Sequence, residues 1–390
     1  MKRTVALLAL SAVVSHALAR STYPILLPAI EDELLGSHQQ SGLLSTVNFA
    51  AYLVGVAVVT TISGRAEPVR LLLGGLVAAG LGFVVLARAG GFGQLAIGLA
   101  LAGAGSAGIW MSTPVLATAA VGPSRRGTVM GVISSTMGVG IVAASQGTNL
   151  VRAVGDDDAL WRPIWVGAAA FSFALLVATI ALLRTPPTET ITGGVSMSRL
   201  RSVPAWAPLT AGYWLFGIVI SGYTPFLGAA LEEEGFSRSH VATLYSLFGL
   251  AAVVGAVNLG RISDRVGRRP VLLGTMASLA VASLLVLTGR EPFATISAVI
   301  FGAASFTFPV LIAAYLSDHL RDRSFSNALG ALTLVYGTAL ALGPFIAGTI
   351  GDSRLGFDVV FGGVAVLALV GSVFVSRLPR SVEQVRVSPS

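Results

Sequence analysis

The sequence predicts an all-α membrane protein of twelve transmembrane helices arranged as two pseudo-symmetric six-helix bundles. Three observations predict it. The 390 residues are 54% hydrophobic and only 11% charged, whereas an ordinary soluble domain is about a quarter charged. Apolar runs of about 20 residues, long enough to cross a ~30 Å hydrocarbon layer, recur from end to end. A polar stretch near the middle, Thr185-Pro186-Pro187-Thr188-Glu189-Thr190-Ile191-Thr192-Gly193-Gly194, has the composition of a flexible linker and separates two groups of runs.

The apolar runs predict helices over 4–30, 41–63, 70–88, 94–119, 128–152, 162–184, 204–230, 240–260, 271–289, 293–318, 326–351 and 357–376. They group into a first bundle over 1–184, a linker over 185–203, a second bundle over 204–376 and a tail over 377–390. The start, Met1-Lys2-Arg3 and then apolar residues to Ala17-Leu18-Ala19, imitates a secretory signal. The apolar run continues to Ile30, too long for a signal core, and reads as the first span.

An even number of spans puts both ends of the chain on one side. Of the 25 basic residues, Arg88, Arg152, Arg162, Arg238, Arg290 and Arg354 fall on the other side and Arg20 inside a helix, leaving 25 − 7 = 18 on the terminal side. The acidic runs Glu31-Asp32-Glu33, Asp156-Asp157-Asp158 and Glu232-Glu233-Glu234 lie opposite. The positive-inside rule then predicts a multi-pass inner-membrane protein with both termini cytoplasmic. The basic residues sit in short clusters between apolar runs, so the excess positive charge does not point to nucleic acid.

Helices 3, 6, 9 and 12 carry no Asn, Gln, His, Arg or Tyr in their interiors. Polar groups are costly against lipid, so these four are expected on the outside and the polar-bearing helices around a shared interior.

The segment Gly260-Arg261-Ile262-Ser263-Asp264-Arg265-Val266-Gly267-Arg268-Arg269-Pro270, between helices 8 and 9, resembles the cytoplasmic signature loop of the major facilitator superfamily. On the residues alone, Gly260 allows close helix approach, Gly267 a tight turn, and Asp264 accepts hydrogen bonds or pairs with Arg265, Arg268 or Arg269. The resemblance implies a conformational latch here, a central cavity lined by helices 1, 4, 7 and 10, and transport by alternating access of the two halves. The first-half copy, Gly64-Arg65-Ala66-Glu67-Pro68-Val69-Arg70, lacks the Asp and the second Gly. Pro123-Ser124-Arg125-Arg126-Gly127 resembles the family's loop between helices 4 and 5. Helix 5 has Ala144-Ser145 where many antiporters of the family have Gly-Pro, and Leu99 stands where the family often has an arginine.

The candidate binding residues begin with Arg20. It is the one charged residue deep in a helix, and it shares a helical face with His16 and Tyr23 at spacings of four and three. A permanent guanidinium there needs an anion, water or a route to the interface. All eighteen carboxylates lie in loops or at helix ends, so a small organic anion is the simplest partner; outward snorkelling is the alternative. His16 is a candidate for a coupled proton, or equally a neutral hydrogen-bonded ring. Asn48, Tyr52, Trp110 and Gln146 from the first half, and Tyr213, Tyr245 and Tyr336 from the second, are expected to line the cavity or to join helices.

With Lys2 the only lysine, no Walker loop can be written, and ATP-driven transport by this chain alone is excluded. There is no cysteine and no histidine-rich metal cluster, so neither a thiolate site nor a metal cofactor is expected. No nucleophile and base are paired, so no enzyme activity is expected. The sequence therefore leads to a cofactor-independent, monomeric secondary transporter of a small organic anion, in contact with lipid and coupled to a proton if His16 titrates. Proton-coupled efflux of amphipathic compounds along the aromatic walls is the alternative.

Overall fold

The computed structural model describes residues 2–62, 67–121, 126–155, 160–183, 195–320 and 322–379. Gly64 to Ala66 of the degenerate loop, Pro123 to Arg125, the Asp156–Asp158 run, most of the linker and the tail from residue 380 lie outside them. Among the described residues, fifteen α-helices and one π-helix follow in order. The first span is α1 (Lys2–Val13), a π segment (Val14–Ser21) and α2 (Thr22–Leu34) in series. Then come α3 (His38–Ile62), α4 (Pro68–Ala87), α5 (Phe92–Ala119), α6 (Arg126–Gly155) and α7 (Arg162–Leu182). A short α8 (Met197–Arg201) precedes α9 (Trp206–Tyr223), α10 (Leu227–Glu233), α11 (Arg238–Val266), α12 (Arg268–Val286), α13 (Phe293–His319), α14 (Asp322–Gly351) and α15 (Gly356–Val375). Eleven segments among them are long and apolar enough to span a membrane, and the bent pair α9 and α10 makes twelve.

Two expected helices are not simple. The seventh, expected unbroken over 204–230, bends by 42° between α9 and α10. Pro225 sits in the break; it has no N–H to donate and restricts Thr224 before it. The first helix, expected as regular α, widens into the π segment just before Pro24. There Ser21 Oγ donates to the His16 carbonyl (3.2 Å) and Thr22 Oγ1 to the Ala17 carbonyl (3.1 Å), both five residues back. Pro24 cannot donate to the Arg20 carbonyl, so the ladder is already interrupted at that turn.

α4, α7, α12 and α15 pack on the outside, as the polar pattern predicts. Val177 and Ile180 of α7 are each 65% exposed and Val366 of α15 is 59% exposed, which is what a lipid-facing surface requires. Inside each half, glycines let backbones meet: a Cβ on Gly105 would strike the backbone of Gly75 and Ala79 at 2.6 Å.

The two halves meet along α3 against α14 and α6 against α11. These contacts run from the side opposite the termini to mid-span. Thr46 Oγ1 donates to the Ala341 carbonyl (2.6 Å), Gln146 Nε2 to Ser246 Oγ (2.7 Å), and Asn149 Nδ2 to the Ser239 carbonyl (3.3 Å). Gly138 and Gly249 face one another so closely that a Cβ on either would overlap the other's carbonyl oxygen, and Gly42 stands likewise against the Pro344 carbonyl. On the terminal side the signature loop bonds within its own half. Arg268 pairs with Asp264, with Ser263 Oγ (2.7 Å) and with Asp318 (3.2 Å). The two halves are therefore closed together at the far end.

The signature loop corrects one expectation. Gly267, at φ +91°, does make the turn between α11 and α12, where a side chain would be strained. Gly260 has nothing within 4 Å of a Cβ position, so close helix approach is not its role in this state. Among the described residues Arg265 and Arg269 make no ion pair, whereas Arg268 makes two.

The glycine contacts generate a test. The chain has no cysteine, so Thr46→Cys is a unique label at the α3–α14 seam. A Gly249→Val or Gly42→Val change should force the far end apart and speed labelling by an impermeant maleimide severalfold. Unchanged labelling would show that these glycines do not hold the seam.

Candidate functional site

The π segment aims Arg20 across the first half toward α3. Its guanidinium carbon lies 3.5 Å from the centre of the Tyr52 ring and 6.0 Å from that of Phe49. A cation held over an aromatic face in this range gains about 0.5–2 kcal/mol, more where water is excluded. The partners expected for Arg20 from sequence are an anion, water or the interface, and the ring is none of these. A spacing signal for it exists: Phe49 and Tyr52 lie three residues apart on one face of α3. Arg20 lies near the middle of the span Arg3–Leu34, with Nε and Nη2 buried and without a hydrogen-bond partner among the described residues.

Arg20, Tyr23, Pro24, Ser45, Asn48, Phe49 and Pro225 line a small pocket. Pro225 comes from the other half, so the pocket closes where the halves meet. Next to it Tyr336 of α14 lies within electrostatic reach of Arg20 and Tyr52, and Tyr213 of α9 within reach of both tyrosines. Tyr213 and Tyr336 stack at 4.3 Å with their planes 6° apart, and Phe216 and Phe308 stack behind them at 4.5 Å. The arrangement is one partly buried cation facing an aromatic wall supplied by the opposite half. Tyr52 packs in a cluster with Val56, Ala107, Trp110 and Met111 of the first half and Leu334 of the second.

The remaining expected residues divide. His16 lies edge-on to Trp110 of α5 at 4.1 Å, next to the cluster that holds Tyr52. Its Nδ1 is buried without a partner among the described residues. Tyr23 donates to the Ser41 carbonyl (3.2 Å). Asn48 Nδ2 donates to the carbonyls of Ala19 (3.1 Å) and Leu99 (2.9 Å), joining three helices. Gln146 is a strut between the halves, as above. Tyr245, expected to line the cavity or to join helices, is buried and donates to the Thr224 carbonyl (2.7 Å) beside the α9–α10 bend. Helix 2, through Tyr52, and helix 11, through Tyr336, thus contribute as directly as helices 1, 4, 7 and 10.

At the far end lies a network that the residue types alone do not single out. Arg238 pairs with Asp32 of the first half and with Glu232 of its own (3.1 Å). His38 stands between Glu31 (2.5 Å, Nδ1) and Glu233 (3.1 Å, Nε2). The Asp352 carboxylate caps the start of α3, accepting from the backbone N–H groups of His38 and Gln39 at 2.7 Å each. This is an anion placed at a helix N-terminus, and it ties the end of α14 to the other half. Within the first half, Glu33 accepts from Trp161 and Arg162 at 2.6 Å. The runs Glu31-Asp32-Glu33 and Glu232-Glu233-Glu234, topology signals in the sequence, also join the halves in the fold. Among the described residues there is no cluster of His and carboxylates suited to a metal ion.

A family described as "Uncharacterised MFS-type transporter YbfB" matches residues 12–377. Among curated relatives, the chain is 25% identical over 358 residues to the 3-(3-hydroxy-phenyl)propionate transporter of Escherichia coli, covering 85% of each. It is 28% identical over 147 residues to the inner membrane transport protein YajR of E. coli, 37% of this chain and 31% of that protein. It is 28% identical over 156 residues to the class H tetracycline resistance protein of Pasteurella multocida, 38% of this chain and 39% of that protein. The chain thus spans about a third of the length of these two. A bacterial homologue of the human lysosomal transporter Spinster, in an inward-facing and occupied conformation, superposes with a TM-score of 0.76 at 17% identity over 100% of this chain and 99% of that one. A mutant of the nucleoside transporter NupG superposes with a TM-score of 0.78 at 11% identity over 96% of this chain and 100% of that one. At these identities the likeness to solved structures establishes the fold.

The Arg20–Tyr52 pair makes a stability prediction. Tyr52→Leu keeps the apolar bulk but removes the aromatic face that lies nearest the guanidinium. The purified variant should melt several degrees lower, consistent with a loss of about 1–2 kcal/mol. Tyr52→Phe should restore most of it. Equal melting of the Leu variant and wild type would show that the ring does not hold the charge.

Proposed function

From the premise that this chain belongs to the major facilitator superfamily, in the family of MFS-type transporter YbfB, we propose that it carries a small organic anion across the inner membrane by alternating access. Its substrate is a small molecule and its place is the membrane; the finer reading rests on one observation. A mid-span guanidinium has an aromatic face beneath it and two buried N–H groups with no acceptor among the described residues. A buried donor left unsatisfied costs about 1–3 kcal/mol, more when charged. A carboxylate bound at that edge removes the penalty and neutralises the charge, so binding energy arises where the protein is otherwise uncompensated.

The aromatic wall of Tyr213, Tyr336, Phe216 and Phe308 suits a substrate with an apolar or aromatic body. The name of the phenylpropionate transporter, the relative above that aligns over most of both chains, is in keeping with this. The tetracycline resistance relatives favour efflux of amphipathic compounds along the same wall. The location of every carboxylate in loops or at helix ends weighs against a cationic cargo, which needs a buried counter-charge.

The charge asymmetry of the loops supports cytoplasmic termini. On that orientation the closed far end is periplasmic and the structure is inward-facing. The cycle then runs between this state and one in which the α3–α14 and α6–α11 seams and the His38, Asp32 and Asp352 contacts part while the terminal side closes. The signature loop acts as the latch of that second closure, with Asp264 and Arg268 exchanging partners, and no covalent intermediate is required. His16 remains the candidate for a coupled proton within the cavity, and the monomer is the working unit.

Two measurements test this. In proteoliposomes, Arg20→Lys should lower uptake or exchange of an organic anion at least about tenfold, since a lysine ammonium does not reproduce the planar fork. Full activity of the Lys variant together with preference for a neutral substrate would overturn the anion reading. Asp264→Asn should slow transport more than it weakens binding. A collapse of affinity at unchanged maximal rate would remove the latch assignment.

A further inference from the structure

The pocket at Arg20 contains a second unsatisfied donor, Ser45. Its side chain is buried, with the residue only 3% exposed, and its hydroxyl has no partner among the described residues. Buried serines within helices normally donate to the carbonyl four residues back, and several here do so: Ser11 to Leu7 (2.8 Å), Ser112 to Gly108 (2.7 Å), Ser145 to Ile141 (2.8 Å) and Ser283 to Leu279 (2.8 Å). For Ser45 the equivalent acceptor is the Ser41 carbonyl, which receives the Tyr23 hydroxyl instead (3.2 Å). Tyr23 thereby leaves Ser45 free to face the pocket.

The other polar donors of the pocket are committed. Tyr23 is spent on Ser41, and both hydrogens of the Asn48 amide are spent on Ala19 and Leu99. The free donors are Arg20 Nε, Arg20 Nη2 and Ser45 Oγ, all belonging to residues that line one pocket. Nε and Nη2 form one straight edge of the guanidinium, the edge that takes both oxygens of a carboxylate in parallel. The Tyr52 ring lies over the same group, and the Nε and Nη2 edge has no partner among the described residues. Phe49, Pro24 and Pro225 make the rest of the wall apolar.

We propose that Arg20 and Ser45 form a carboxylate subsite, with the fork taking both oxygens and the Ser45 hydroxyl donating a third hydrogen bond to one of them, and that the ligand is a monocarboxylate. This rests on the organic-anion reading above and assigns its specificity. The pocket in this state has room for about one water molecule, so a carboxylate enters as the walls from the two halves move apart, and the body of the ligand extends toward Tyr52, Tyr336 and Tyr213. Arg20 is the one arginine or lysine that the sequence places deep inside a helix, so a second carboxylate on the ligand would have no permanent counter-charge and is selected against. Tyr23 is a positioning residue: by occupying the Ser41 carbonyl it keeps the Ser45 hydroxyl turned into the pocket.

The experiment uses the full chain in detergent and proteoliposomes with four probes: 3-phenylpropionate, its amide, phenylsuccinate and sodium chloride. Thermal shift and direct binding are measured for wild type, Ser45→Ala, Tyr23→Phe and Arg20→Lys. The expected result is that the monoacid alone stabilises wild type, by mass action. Ser45→Ala should melt as wild type does when unliganded but bind the monoacid about tenfold more weakly, as loss of a hydrogen bond to a charged group requires. Tyr23→Phe should weaken it in the same direction and less, because Ser45 can then turn to the Ser41 carbonyl. If Ser45→Ala binds the monoacid as wild type does while Arg20→Lys does not, the Ser45 subsite is overturned and the anion reading stands. If the amide binds as well as the acid, the anion reading itself fails. If phenylsuccinate binds as tightly as the monoacid, or chloride displaces it at equal concentration, selection for a monocarboxylate is overturned.

Discussion

A permanent positive charge held mid-span among apolar helices is the constraint on which the rest of the structure turns. The isolated charge is costly in hydrocarbon by any scale, and protein structures meet that cost with partners, water or function. Here Arg20 has an aromatic face from α3, a pocket closed by the opposite half, and an open hydrogen-bonding edge. The features around it serve that placement. The π segment turns the side chain toward α3, Asn48 pins the first span to α3 and α5 by its two amide hydrogens, and Pro225 puts a bend where the second half meets the pocket.

The same charge explains the link between binding and the movement of the two halves. Arg20, Tyr52 and Ser45 belong to the first half, whereas Pro225, Tyr213 and Tyr336 belong to the second. A ligand that bridges these groups binds best when the halves are close around it, and so shifts the balance among states by its difference in affinity between them. The far-end network supplies the opposing element. Its pairs are partly exposed and individually worth little, in line with contacts that must break in every cycle. Asp352 on the α3 N-terminus and Arg238 on Asp32 hold the far end closed without making opening prohibitive.

The architecture was legible in the sequence because membrane spans obey strong constraints. Length, charge asymmetry and the polar-poor third helices marked out the spans, the grouping of the ends and the outer positions of α4, α7, α12 and α15. Arg20 was legible because one charge in a long apolar run has no neighbour along the chain to neutralise it. What could not be read was direction around the helix axis. Arg20 and Tyr23 line one pocket, in keeping with their spacing, but spacing along one helix does not tell that Arg20 meets the Tyr52 ring or that His16 meets Trp110. Gly260 looked like a packing glycine and is open. For Tyr245 the residue type leaves cavity wall and helix joining equally open, and its bond to the Thr224 carbonyl beside the bend gives it the second role. His38, Asp32, Arg238 and Asp352 acquire meaning only when residues far apart in sequence are brought to one end of the bundle.

The measurement that bears most directly on the central claim is a structure of the protein with 3-(4-iodophenyl)propionate, located by the anomalous signal of its iodine. The carboxylate is expected on the Arg20 Nε and Nη2 edge with Ser45 Oγ in hydrogen-bond range, and the iodine toward Tyr336 and Tyr213. Density for the ligand elsewhere in the bundle, with the Arg20 edge and Ser45 still unpartnered, would contradict it.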